Sequence, residues 1–533
     1  MRYETSLIGA FIASVVLLLS QPGITLAQEP QYDILIRGGR VLDGTGSAWR
    51  YATIAIRGDR IVAVGYVPAT AQAARTIDAT GKYVTPGFID PHSHAFPAIS
   101  KPELAAGLPI LYQGITTVVI NPDGGGPADL RPLIAALERN RPGVNVAPLI
   151  GHNAVRIEVM GREDRAPTAD EQRQMEEYVR KALALGAFGL SSGPFYVPGK
   201  YSTTAEIVEL AKVAAQYPGS FHTSHIRDES SYDIGVVAAV EELIQVSRDA
   251  RLPGIVTHVK VLGPGVWGKS KNVIDLINAA RAEGLEIWAD QYAYAASGSG
   301  LQSSLVPAWA QEGGRDALAK RLKNPRERAR IREEMATNMA RRGGPNAMMI
   351  RRYSPDASRE GRRLDEIAKD RGEDPLDTAI EMLINGGASI VSFNMDEEDI
   401  EAFMRQPWTM TSTDGGLPAF GTGAEHPRAY GAFPRKIRRY ALERGAITVE
   451  QAIHSSTGLP ATVLGIEDRG FLRPGGFADV LVFDPATFAD VATYENPHAY
   501  STGIEHLVVN GRLAIDNGKL TAERSGRLLL RRR

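Results

Sequence analysis

Residues 86–96 read PGFIDPHSHAF: an apolar run ending in an acid, then two histidines one residue apart. The run has the length and flanks of a short buried strand. In an extended chain residues i and i+2 point to one side, so His92 and His94 can face a single cation. Two unrelated histidines at a strand end would look the same, so the meaning of the pair depends on the fold that carries the strand.

Working outward, the chain repeats the pattern. The runs YVTPGFID, TTVVI, VNVAPLI, AFGLSSG, SFHTSH, GIVTHVKV, EIWADQY and WTMTSTD are short and apolar, and helical stretches such as ADEQRQMEEYVRKALAL and VIDLINAARAEG lie between them. Strand–helix alternation with this count predicts an α/β fold of the (β/α)8 TIM-barrel type. The connection between strands seven and eight, about 301–407, is too long for an ordinary loop and contains the charged helical pattern RERARIREEMATNMARR. It predicts an inserted subdomain. Alternating strand patterns occur at both ends, in YDILIRGGRVLDG and YATIAIRGDRIVAVG and again in ADVLVFDPATF and HLVVNGRLAIDNG. They predict a small β-sandwich domain built from both termini, 28–85 and 469–533, around a barrel at 86–468.

Composition narrows the chemistry. The 533 residues are 43% hydrophobic and 23% charged, with a net charge of −2. No basic surplus points to nucleic acid. The chain has no cysteine, which removes disulfides, thiolate nucleophiles and Cys-type zinc sites. A metal site must use His, Asp, Glu or Lys. Residues 1–27 combine Arg2, the apolar run LIGAFIASVVLLLS and a small-residue TLA before Gln28, the pattern of a secretory signal peptide, with an uncleaved anchor as the alternative. The expectation is an exported protein, periplasmic in a Gram-negative host, with no transmembrane segment in the mature chain.

A barrel places its chemistry at the C-terminal ends of its strands. His92 and His94 follow strand one, Asp123 strand two and His152 strand three; His225 ends strand five, and His258 and Lys260 end strand six. Tyr292 follows strand seven and Asp414 ends strand eight. Imidazoles and carboxylates suit Zn²⁺ with one place open for water. Such a metal activates the water as nucleophile and polarises a carbonyl. Asp414 is the candidate general base and acid. Lys260, Tyr292 and Arg428 are candidates for a substrate anion or a developing oxyanion, with Ser299 and His152 as further substrate-facing positions. Asp123, in NPDGGG, reads equally as a turn former.

These motifs, in this order, resemble the amidohydrolase superfamily and within it the N-acyl-D-amino-acid deacylases (D-aminoacylases). The resemblance runs from YDILIRGGRVLDGTG and VTPGFIDPHSH through GAFGLSSGPFYVPG, HTSHIRDE and THVKVLG to HPRAYGAFPR and HAYSTGIEHLVVNGRL. It implies zinc, in one tight site and a weaker second one, on His92, His94, Asp123, His225 and His258. It implies Asp414 as base, with Lys260, Tyr292 and Arg428 on the substrate, and hydrolysis of a small N-acyl amino-acid amide. The chain departs from the family pattern at 121–124, where NPDG replaces GNCG and a carboxylate stands for a ligating thiolate. HSHAF lacks the acidic residue that often follows the pair, and GLQSSLVPAW contains no arginine. Two alternatives stay open: a hydrolase of a related bond, such as a dipeptide or a hydantoin, and a barrel that binds without catalysis.

Overall fold

The computed structural model describes residues 31–531; the expected signal peptide, 1–27, lies outside them. Eight parallel strands carry the middle of the chain. They are Phe88–Asp90, Ile115–Ile120, Asn145–Pro148 with its continuation Ile150–Gly151, Leu190–Ser192, His222–Ser224, Gly254–Val256, Ile287–Gln291 and Thr409–Thr411. Each pairs with its neighbours in chain order, the third passing from the second to the fourth across Leu149. Beyond the eighth strand Gly416 forms a parallel bridge with His94, and Asp414 N donates to His92 O at 3.0 Å. Helices Ala169–Ala184, Thr204–Ala214, Val236–Ala250 and Ser270–Ala282 alternate with strands three to seven. The first of these opens on a capping box between Thr168 and Glu171 and buries Met175, Val179, Ala182 and Leu183, one face of a 3.6-residue period. Ile89, Val119, Ala147, Ile255 and Met410, from five different strands, meet in one apolar cluster, leaving the polar residues at the strand ends above it.

The opening stretch does not form a single strand. Tyr83–Pro86 pairs with Val480–Phe483 and Arg40–Val41 in a seven-stranded sheet made from both ends of the chain. Phe88–Asp90 pairs instead with Ile115–Ile120. The break falls at Pro86-Gly87 for a physical reason. Proline has no N–H to continue a ladder, and a Cβ on Gly87 would sit 2.3 Å from the Thr116 side chain. A four-stranded sheet, Tyr32–Arg37, Thr53–Arg57, Arg60–Gly65 and Ala73–Asp78, shares its core with the seven-stranded one through Ile34, Ile56, Ile77, Val84, Val482 and Val508.

The insertion differs from its helical expectation. It contains the expected helix Pro325–Arg341, capped by Asn324. It also contains an antiparallel sheet in which Ser389–Ser392 lies between Ser297–Gly300 and Met348–Arg352. The sheet therefore begins before residue 301. SGSG at 297–300 has no apolar residue to alternate, so only backbone pairing makes it a strand. Leu305, Leu322, Met335, Ile350 and Ile380 give the insertion a core of its own. Among the described residues no helix is long and apolar enough to cross a membrane.

Behind strand eight, Lys436 is buried and donates from Nζ to Thr411 Oγ1 at 2.8 Å and Ser455 Oγ at 3.0 Å. Burial pulls its ammonium down to about 7. In the unfolded chain a lysine titrates near 10.4, so between about pH 7 and 10.4 the unfolded chain binds more protons and stability rises with pH. Below about 7 the full penalty applies, on the order of a few kcal/mol. Lys436→Met is expected to raise the urea midpoint at pH 7 and to flatten its rise towards pH 9.5. A variant with the wild-type pH dependence would refute this.

Candidate metal centre and active site

Five side chains from four strand ends converge on one point, and Asp123 sits at its centre. Asp123 Oδ1 lies 3.5 Å from His92 Nε2 and 3.6 Å from His258 Nε2. Its Oδ2 lies 3.3 Å from His94 Nε2 and 3.7 Å from His225 Nδ1. Each carboxylate oxygen thus faces one histidine from each side. Asp414 Oδ1 closes the group at 3.2 Å from His94 Nε2 and 3.7 Å from His92 Nε2.

Backbone conformation makes the convergence possible. Nine described residues other than glycine have positive φ, and Asn121, Asp123, His258 and Asp414 are among them. Asn and Asp tolerate this left-handed region better than other side chains; His258 at φ 36° is held there by its surroundings. Asp290 accepts from His258 N at 2.9 Å. Asp90 accepts from His92 N at 3.2 Å and from Thr413 Oγ1 at 2.5 Å, tying the first strand end to the eighth. Burial lifts the Asp90 carboxyl to about 7 against those hydrogen bonds.

The donor set fits a metal. Both ring nitrogens of His92 and of His225, and Oδ1 of Asp123, are buried without a hydrogen-bond partner, an arrangement that is costly unless something else satisfies them. Bonds of 2.0–2.1 Å in a tetrahedral zinc site put ligand atoms about 3.3 Å apart, close to the 3.2–3.7 Å separations observed here. Two overlapping groups can be drawn, His92–Asp123–His258–Asp414 and His225–Glu229–His258, each with its ligand atoms within 4.8 Å. Burial and the Lys260 ammonium oppose protonation of His258, yet Asp414, Glu229 and Asp123 raise it to about 10. A dication at this point would supply the positive charge the carboxylates draw onto the imidazole.

The group forms one wall of a cavity of about 390 Å³. His94 is its most open member, with 40% of its side chain exposed. Asp414 Oδ2 accepts from Arg428 Nη1 at 2.6 Å. Burial alone would raise the Asp414 carboxyl, but Arg428, His258, His94 and His92 outweigh it and hold it well below the usual range. Lys260 Nζ donates to Glu229 Oε1 at 2.6 Å and to the His258 carbonyl at 2.8 Å. Ser299 lines the cavity, with its Oγ 3.1 Å from Ser303 Oγ. Phe195 and Tyr196 pack their rings on His225 at centroid distances of 5.2 and 4.6 Å, screening that side.

One expected substrate-facing residue sits elsewhere, and another is buried against the cavity lining. Tyr292 lies behind the cavity wall, its ring under the Arg428 guanidinium at 4.6 Å and its hydroxyl 3.5 Å from Met395 Sδ. His152 is a correction. It starts the helix His152–Met160, which turns its ring towards Glu206, 2.8 Å from Nε2, in a buried cluster completed by Arg156. Glu229 is passed over by the sequence reading, although it stands four residues after His225 in HIRDE. Its Oε2 is 3.5 Å from His225 Nε2 and its Oε1 3.1 Å from His258 Nδ1. Asp90 and Asp290 are missed too; their only signal is an acid near the C-terminal end of a parallel strand.

Comparison with known proteins gives a consistent picture. The sequence pattern of the amidohydrolase family matches residues 135–515. An N-acyl-D-glutamate deacylase of Alcaligenes xylosoxydans xylosoxydans is 36% identical over 526 residues, covering 94% of this chain and 97% of its own. The crystal structure of the N-acyl-D-glutamate deacylase of Bordetella bronchiseptica, with zinc and a phosphonate mimic of the tetrahedral intermediate, superposes with a TM-score of 0.79. It is 34% identical and covers 94% of this chain and 100% of that one. A D-aminoacylase structure addressing a binuclear metal centre, with one-metal activation and second-metal attenuation, is 32% identical at the same TM-score of 0.79, covering 94% and 100%.

Proposed function

Because the chain belongs to the amidohydrolase family, we propose that it is a metal-dependent deacylase releasing D-amino acids from their N-acyl derivatives. The observation that carries this reading is the convergence of His92, His94, His225 and His258 on Asp123, with Asp414 and Arg428 beside them. Those four histidines and Asp123 would hold zinc, in one tight site and a weaker second one that includes the more open His94. When bound, the metal supplies Lewis-acid chemistry, polarising the amide carbonyl and making water acidic enough to attack near neutral pH.

The chain's own residues do the rest. Asp414 is ionised at neutral pH and takes the proton of the attacking water at Oδ1, the oxygen turned to the histidines. It then returns that proton to the amide nitrogen as the C–N bond breaks, yielding a carboxylic acid and a free amine. Arg428 uses Nη1 on Asp414 and keeps Nε and Nη2 for the α-carboxylate, which is two bonds from the scissile nitrogen. Lys260 adds positive charge next to His258. Phe195 and Tyr196 keep bulk water from one side.

The architecture belongs to the same proposal. The parallel bridge between His94 and Gly416 supports closure of the eight strands into a (β/α)8 barrel over 86–468, and the shared core of the terminal sheets supports a β-sandwich from 28–85 and 469–533. Arg2 and the apolar run behind it support export through a cleaved signal peptide, into the periplasm of a Gram-negative host.

The expected result is stoichiometric zinc in the purified protein and amine release from N-acetyl-D-amino acids but not from their L-enantiomers. Turnover of hydantoins alone, or protein free of metal after expression in zinc-supplemented medium, would overturn the reading.

A further inference from the structure

Four cationic side chains line the cavity, and three already have a carboxylate. Arg428 pairs with Asp414, Lys260 with Glu229, and Arg351 with Glu425. The fourth, Arg342, is 2% exposed. Its partners are neutral hydroxyls only: Nε donates to Ser392 Oγ at 3.1 Å, Nη1 to Tyr232 OH at 3.0 Å and Nη2 to Ser297 Oγ at 3.2 Å. Among the described residues no acid lies within ion-pair distance of it. A buried guanidinium without a counter-charge is costly, and its planar fork suits a carboxylate. It contacts neither Asp414 nor any of the proposed metal ligands, so its reach is to a part of the substrate away from the scissile bond. It enters from the insertion, at the end of the helix Pro325–Arg341.

We propose that Arg342 receives a second carboxylate on the substrate, so that N-acyl derivatives of acidic D-amino acids are preferred. The inference rests on the deacylase reading and adds a specificity residue to it. The hydroxyls of Tyr232, Ser297 and Ser392 hold the fork in place while leaving the charge unneutralised. The absence of arginine from GLQSSLVPAW means that the adjoining segment offers no rival cation.

The test compares N-acetyl-D-glutamate with N-acetyl-D-glutamine, which share a shape and differ by one charge. The expected wild-type preference in kcat/KM is at least 100-fold for the glutamate derivative. Arg342→Met should collapse that ratio by about two orders of magnitude, and Arg342→Lys, which keeps the charge without the fork, should fall between. An unchanged ratio in Arg342→Met, or equal use of both substrates by the wild type, would overturn the proposal. Hydrolysis of N-acetyl-D-methionine in that case would leave the deacylase reading standing. If no N-acyl-D-amino acid is cleaved, the deacylase reading fails, and thermal shift with D-glutamate against D-glutamine still decides the role of Arg342. A shift by D-glutamate that is lost in Arg342→Met supports it, and equal shifts refute it.

Discussion

Asp414→Asn is expected to lower kcat by about 10²- to 10⁴-fold while the protein still binds metal. Asparagine keeps the side-chain shape, and its carbonyl can still accept from Arg428 Nη1, which lies 2.6 Å from Asp414 Oδ2 in the wild type. What disappears is the negative charge and the ability to take a proton. The group is 6% exposed and held ionised by Arg428, His258, His94 and His92 against the effect of burial. Its loss is therefore not mimicked by mild acidification. Some stability is lost as well, because Arg428 is left buried without its counter-charge, so rates are best compared at 25 °C. The checks are amine release for kcat and elemental analysis for metal. Turnover within tenfold of wild type would remove Asp414 as base, and complete loss of metal would make it a ligand instead.

Asp123→Ala is expected to cost more than about 100-fold in metal affinity, since on the proposed reading it removes a ligand itself rather than an outer partner worth about 10–100-fold. The alanine leaves four imidazoles facing an empty centre, with no charge from that position to balance a dication. Asp123→Cys should hold the metal and shift preference towards softer ions. Dialysis followed by elemental analysis gives the first result. Cobalt substitution gives the second, because a thiolate ligand adds a charge-transfer band in the near ultraviolet that a carboxylate does not. Full metal content in Asp123→Ala would show that the carboxylate is a turn former only.

Much of this site can be read in the sequence because strand ends obey a local rule. His92, His94, Asp123, His225, His258 and Asp414 each follow a short apolar run, and the fold brings such ends together. Where the local rule stops, so does the reading. Glu229 reaches the group through a loop after strand five that Asp228 folds by accepting from Ser230 N, Asp233 N and Gly235 N. Arg342 enters the cavity only because an entire helix docks there, and no neighbouring residue signals it. His152 stands at a strand end and still turns away, because a helix begins on it and Glu206 offers a partner. The division of YVTPGFID between two sheets follows from Pro86-Gly87, a dipeptide that a period-two pattern does not register.

The insertion carries its own core of Leu305, Leu322, Met335, Ile350 and Ile380, apart from the cluster under the parallel strands. On the proposed reading, the segment that carries Arg342 is therefore packed separately from the strands that carry the reaction chemistry. Substitutions in the insertion's core can accumulate without disturbing the apolar packing under His92 or Asp414. A lineage built this way can change its diet by rewriting that segment and the Tyr232 hydroxyl that meets it, leaving inherited bond-breaking machinery intact.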